Sequence, residues 1–166
     1  MHRLHIIGRK NSGKTTLVVD LVRHFTALGY RIGTVKHTHH HHELDTPGKD
    51  SHRHREAGAA AVGILSPAMT ALFWPTSPDT RDAGDYARFL DHFSGCDLVL
   101  VEGHSQTAGP KIEVWRATHT DPPLAVADDS ILAVVTDDPL EIPIPVWKRS
   151  DVPELAKRVL ALVGVR

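Results

Sequence analysis

With 166 residues, 41% of them hydrophobic, the chain suits one domain, residues 1–166, and can bury a core. A formal net charge of −1 gives no global basic field for nucleic acid, and no apolar run approaches the ~20 residues of a membrane helix. The single cysteine, Cys96, excludes an intramolecular disulfide and, with no signal peptide, fits a reducing cytoplasm. The chain opens on Leu4, Ile6 and Ile7, which read as a buried strand. Leu17, Val18, Leu21, Val22, Phe25 and Leu28 recur at helical spacing, and Gly29 follows as a C′ residue would. Tyr30 to Lys36 reads as a second strand, 37–49 as a long polar loop, and Asp50 as the cap of a helix through Ala60. Ala61 to Ser66 and Met69 to Trp74 read as strands joined at Pro67-Ala68. After a break at 75–79, Thr80 to Phe93 reads as a helix, with Tyr86, Phe89, Leu90 and Phe93 on one face. Leu98 to Val101 is a continuous apolar run, as in a central parallel strand. Lys111 to Trp115 and Leu124 to Ala127 are weaker strands, Ile131 to Val135 another buried one, and Pro143 to Trp147 a proline-limited edge. Asp151 and Glu154 open a last helix whose stripe is Val152, Leu155, Ala156, Val159, Leu160 and Val163. Strands alternating with helices predict an α/β fold: a mainly parallel sheet flanked by helices, with extra short antiparallel strands.

The segment between the first strand and first helix carries the chemistry. Gly8-Arg9-Lys10-Asn11-Ser12-Gly13-Lys14-Thr15-Thr16 is a complete G-x-x-x-x-G-K-[ST] phosphate loop in its required strand–loop–helix context. Backbone N–H groups and the helix dipole attract a triphosphate, Lys14 reaches the β/γ-phosphates, and Thr15 can hold Mg²⁺. The partner carboxylate for the metal usually ends the strand beside the first, which points to Glu102 before Gly103. Asp97 stands at the wrong end of that strand and reads as a solvated start. After the late strand comes Thr136-Asp137-Asp138, where an aspartate could accept from the adjacent N1 and N2 donors of guanine or simply cap a turn before Pro139.

Five of the 13 histidines fall in His37-Thr38-His39-His40-His41-His42. Adjacent histidines point in different directions, and structural zinc sites use spaced ligands, usually with cysteines. Three readings stand: a metal cluster, a solvated loop, or an anion site. The last would combine Lys36, His37, His39, His40, Asp45, Lys49 and Arg53, with Arg55 nearby, around a second phosphorylated ligand or the γ-phosphate. The short helix bearing His52, Arg53, His54 and Arg55 is polar nearly all round and should bury little.

The phosphate loop, Val35-Lys36-His37-Thr38-His39-His40, Asp45-Thr46-Pro47-Gly48-Lys49-Asp50-Ser51, Ala57-Gly58-Ala59 and Leu100-Val101-Glu102-Gly103 together resemble the molybdopterin-guanine dinucleotide biosynthesis protein B (MobB) family. Lys111-Ile112 and Asp138-Pro139-Leu140 extend the resemblance over nearly the whole chain. It implies a P-loop GTP-binding homodimer with weak GTPase activity. Such a protein assists the molybdenum cofactor nucleotidyltransferase that attaches GMP to molybdopterin. Carried over, residues 8–16 bind phosphates, Lys14 and Glu102 serve any catalysis, and Thr15 and Glu102 serve Mg²⁺. The 36–58 segment flanks the nucleotide and is a candidate contact for molybdopterin. Two departures are His41-His42-Glu43, which prolongs the histidines, and His104-Ser105, where the family commonly has Phe-Lys. Arg9 and Lys10 are the candidate cations to act across a dimer. A nickel metallochaperone-type GTPase, a small-molecule P-loop kinase and a phosphate-binding scaffold are the rival readings.

Overall fold

The computed structural model describes residues 1–38, 43–75 and 89–165. They fall into two compact units, Met1–Thr38 with Phe93–Arg166, and His39–His92. The first unit, built from both ends of the chain, holds a six-stranded sheet. Its strands are β1 (His2–Ile7), β2 (Ile32–Lys36), β5 (Leu98–Glu102), β6 (Lys111–Val114), β7 (Ile131–Thr136) and β8 (Val146–Lys148), in the order β2-β5-β1-β6-β7-β8. All five pairings are parallel. The strands therefore end together. Because β5 lies on one side of β1 and β6 on the other, β1 delivers its loop to the point where the strand order reverses, the position at which parallel sheets bind ligands.

Helices α1 (Lys14–Ala27) and α3 (Val152–Val163) share a core with the sheet. Leu17, Leu21 and Phe25 of α1 and Leu155, Ala156 and Val159 of α3 pack with Leu4, Ile6, Leu100, Ile112 and Val135. The helical stripes expected for both helices are the ones that face the core, except that Leu28, the C-cap of α1, is exposed. Gly29 follows the last turn of α1 at φ 90°, and the Asp151 carboxylate accepts from the Glu154 N–H to start α3.

Two elements differ from expectation. Residues 124–127 are not a strand: Leu124–Val126 form a 3₁₀ turn. The buried Glu113 carboxylate accepts from the N–H groups of Leu124 (2.9 Å) and Ala125 (3.0 Å), and Pro123 precedes them, so these donors are unavailable to a ladder. The stretch from Lys111, read as a weaker strand, is a strand as expected but a central one, between β1 and β7. Its charges hid this. Glu113 is fully buried by its capping role. Lys111 is 3% exposed and meets Asp128 at 2.9 Å and the Ser105 carbonyl at 2.8 Å.

The second unit contains α2 (Asp50–Glu56) and the antiparallel hairpin β3 (Val62–Leu65) and β4 (Thr70–Phe73). The hairpin turns at Pro67-Ala68 as expected, with the Ser66 N–H and hydroxyl both donating to the Met69 carbonyl. Helix α2 stops four residues earlier than the sequence suggested: Ala57 is its C-cap, and Gly58 follows at φ 96°. Its N-cap is Lys49 rather than Asp50, which lies within the first turn. No α2 residue is buried, as its polar composition required. Of the helix expected over 80–93, residues 80–88 lie outside the described residues.

Candidate nucleotide-binding site

β1 ends at Ile7 and the chain enters the phosphate loop with three left-handed residues, Gly8 (φ 142°), Asn11 (φ 64°) and Gly13 (φ 97°). Gly8 has no alternative: a Cβ there would run into the Val114 carbonyl of β6. Gly13 is the N-cap of α1 and supplies no side-chain cap, so the first-turn amides of the helix keep their capacity for an anion. Lys14 lies back over the loop, its ammonium donating to the carbonyls of Gly8 (2.9 Å) and Arg9 (2.6 Å). Burial lowers its pKa from the ordinary lysine value; the Glu102 carboxylate opposes that shift, and Lys36 adds to it.

The Thr15 hydroxyl donates to Glu102 Oε1 at 2.7 Å, joining residues 87 apart in the chain. Thr15 is the second residue of α1 and Glu102 the last of β5, so the contact follows from β5 pairing in register with β1. A hydroxyl beside a carboxylate is a hard oxygen donor pair of the kind Mg²⁺ prefers. Next to it opens a groove of about 440 Å³ between α1 and β2, lined by Val18, Val22, Val35 and Lys36. Its floor is mostly valine, with Arg23, Thr34 and Lys36 at its margin. Asp97, as expected, is an exposed strand start, accepting from the Arg31 N–H at 2.7 Å.

Across β1, the other flank of the loop is walled by residues 115–124. Arg9 pairs with Asp121 (3.3 Å), which ties this candidate trans-acting cation within its own chain. The Trp115 indole donates to the Asp121 carbonyl, and the Ala117 N–H donates to Asp138 Oδ2 at 2.7 Å. Asp137 Oδ1 accepts from the Ser150 N–H, and Thr136 Oγ1 accepts from the Asp138 N–H. The 136–138 residues thus sit at the end of β7, each committed in part to a backbone donor. The Ser150 N–H, the largest cause, lowers the Asp137 pKa.

Sequence reasoning missed Arg116 and His5 here, and singled out His104 only as a departure from the family. Arg116 follows β6 and brings its guanidinium against Gly13; its signal was a cation just past a strand end, lost because β6 was read as minor. His5 is fully buried on β1, and His104 adopts φ 61° after β5. Their rings stand edge to face at 5.5 Å, and His37 stacks on His104 at 4.4 Å and 14°. Burial first, then the neighbouring His104 and Arg3, lowers the His5 pKa to about 4. No periodicity marks a histidine that alternation merely places inside a strand.

Of the residues expected to contact an anion, Lys36 and His37 belong to the first unit and Asp45, Lys49 and Arg53 to the second, while His39 and His40 lie outside the described residues. Asp45 is a local brace, accepting from the Ser51 hydroxyl and the Thr46 N–H. Arg55 is paired with Glu43 at 2.6 Å, and this hydrogen bond, with the Asp45 N–H, holds the Glu43 pKa at about 2. Among the described residues no group of three His, Cys, Asp or Glu side chains is placed to hold a metal ion.

A parallel sheet with strand order reversed about a glycine loop, and a lysine, threonine and acidic strand end converging on it, defines a P-loop fold. Residues 3–137 match the model of the family described as molybdopterin guanine dinucleotide synthesis protein B, MobB. The chain belongs to this family. It is 38% identical over 156 residues to the molybdopterin-guanine dinucleotide biosynthesis adapter protein of Haemophilus influenzae, covering 92% of this chain and 84% of that one. It is also 38% identical over 152 residues to the Escherichia coli protein of the same name, covering 90% and 86%. A crystal structure of molybdopterin-guanine biosynthesis protein B superimposes with a TM-score of 0.74 at 29% identity, over 98% of this chain and 99% of that one. The MobB homologue of Bacillus stearothermophilus superimposes with a TM-score of 0.69 at 26% identity over the whole of both chains.

Proposed function

We propose that the chain is a GTP-binding adapter in molybdopterin guanine dinucleotide synthesis, working beside the nucleotidyltransferase that joins GMP to molybdopterin. The observation that carries the nucleotide half is the Thr15–Glu102 contact at the mouth of the phosphate loop. Lys14 would leave the carbonyls of Gly8 and Arg9 to meet the β/γ-phosphates, and the amides of Gly13 to Thr16 would cradle them. Thr15 and Glu102 are the residues that would hold Mg²⁺, whose chemistry is to neutralise charge developing between the β- and γ-oxygens. No glutamine stands out to orient an attacking water, and Arg9 is occupied by Asp121, so hydrolysis is expected to be slow. Guanine is read by the remaining acceptor capacity of Asp137 or Asp138.

The pathway half rests on family membership. Within the second unit, exposed Lys49 and Arg53 have no ion pair among the described residues and are the candidates for a second anionic ligand, molybdopterin itself. The homodimer is supported by the hairpin. Of the short strands expected from the sequence, Lys111 to Trp115 is central as β6 and 124–126 is a turn, so neither offers an open edge. The β3–β4 pair remains, a two-stranded sheet with Leu65 85%, Met69 74% and Leu72 47% exposed. A two-stranded hairpin is marginal by itself, and its apolar side chains and, among the described residues, its unpaired edges suit a second copy of the chain. Calorimetry of GTP, ATP and molybdopterin binding, with and without the transferase, tests the reading. GTP binding that strengthens transferase association supports it; a chain that binds no nucleotide refutes it.

A further inference from the structure

We propose that Arg116 grips the nucleoside end of the bound nucleotide, on the flank of the phosphate loop opposite the metal-binding pair. The inference rests on the GTP-binding reading above and adds a residue to that site.

The side is set by the sheet. Glu102 ends β5 and meets Thr15, so the metal and the terminal phosphates belong on the β5 side of β1. A nucleotide anchored there must extend over β1 toward β6 and β7. Arg116 stands in that path. It emerges two residues beyond the end of β6, and its guanidinium Nη2 comes within 2.9 Å of the position a Cβ would occupy on Gly13. Beyond it, at the end of β7, lie Thr136, Asp137 and Asp138. Loop, arginine and acidic strand end are thus ordered from the phosphates outward.

The arginine is also held ready. The loop that carries it is anchored at Ala117 by Asp138, at Asp121 by Arg9 and the Trp115 indole, and at Leu124 and Ala125 by the buried Glu113. Arg116 itself is exposed and makes no ion pair among the described residues, so its charge is not spent on a structural partner. A guanidinium suits the nucleoside end doubly. Its donors match an α-phosphate oxygen, and its plane can stack on a base. By this geometry Asp138 acts partly as a positioning residue, because its contact with Ala117 fixes the loop on which Arg116 rides.

The test uses the full chain with Mg²⁺, titrated with GTP, GDP and inorganic pyrophosphate as wild type, Arg116→Ala and Arg116→Lys. Arg116→Ala should weaken GTP and GDP alike, by about tenfold or more, and leave pyrophosphate binding unchanged. Arg116→Lys, which keeps a charge and most of the reach, should fall between and serves as the second variant if the alanine chain is unstable. GDP affinity equal to wild type would overturn the assignment. So would a loss confined to GTP, which would put the arginine at the γ-phosphate, or a matching loss of pyrophosphate, which would mean it shapes the loop alone. If the wild-type chain bound pyrophosphate but neither nucleotide, the GTP reading would fall first and this inference with it.

Discussion

Thr15 and Glu102 meet at 2.7 Å although 87 residues separate them, and their contact marks one flank of the phosphate loop. A glutamine at 102 would still accept from the Thr15 hydroxyl but would carry no charge toward a cation. Glu102→Gln is therefore expected to weaken GTP binding in Mg²⁺ by about tenfold, ~1.4 kcal/mol, and to change binding in EDTA little. Equal losses in the two titrations would remove Glu102 from the metal's surroundings.

Among the described residues Lys14 hydrogen-bonds to loop carbonyls, and it belongs to no apolar cluster, so its loss should not cost the fold. Lys14→Ala is expected to retain the wild-type circular dichroism spectrum while triphosphate affinity falls by about 100-fold or more, ~2.7 kcal/mol. A folded variant with undiminished GTP affinity would show that the loop binds no triphosphate in the expected way.

GTP should be preferred to ATP. Asp137 and Asp138 each give an oxygen to a backbone donor and, as carboxylates, retain further acceptor capacity for two adjacent donors. Asparagine at both positions would keep the backbone contacts but present an N–H₂ group to guanine. That double variant should lose about tenfold in GTP affinity with ATP unaffected. Competition in which ATP displaces GTP at equal concentration from the wild-type protein would end the guanine assignment.

The hairpin prediction concerns assembly. Sedimentation at micromolar concentration should give twice the 18.2 kDa of one chain, and Leu65→Asp with Met69→Asp should shift the protein toward the single chain. A wild-type protein that sediments as one chain would count against the homodimer.

The buried His5 makes stability depend on pH. Its pKa is lowered from 6.5 to about 4 in the folded protein, so between these values the unfolded chain binds more protons. The stability associated with neutral His5 is complete above pH 6.5 and declines as pH falls toward 4, by up to about 3 kcal/mol. Urea unfolding at pH 7.5 and pH 5 should show the decline, and His5→Gln should make it shallower. An identical slope in the variant would mean that His5 contributes nothing to the dependence.

The phosphate loop, the stripes of α1 and α3, and β5 ending in Glu102 were legible because each is local. Glycines at required spacings, a 3.6-residue period and an uninterrupted apolar run all declare themselves in a short window. β6 was legible as a strand but only as a weak one, because its buried charges, Lys111 and Glu113, break that apolar pattern. Partners outside the strand, the Ser105 carbonyl and Asp128 for Lys111 and the amides of Leu124 and Ala125 for Glu113, make their burial tolerable. The same dependence on a remote carboxylate turned 124–127 from a strand into a turn. Sequence alone thus determined that a P-loop motif stands between the first strand and the first helix and which residues build it. Tertiary structure decided its flanks. Parallel pairing brought Glu102 to Thr15 on one side and Arg116 to Gly13 on the other, because strand order, which no local pattern encodes, sets which strand ends become neighbours.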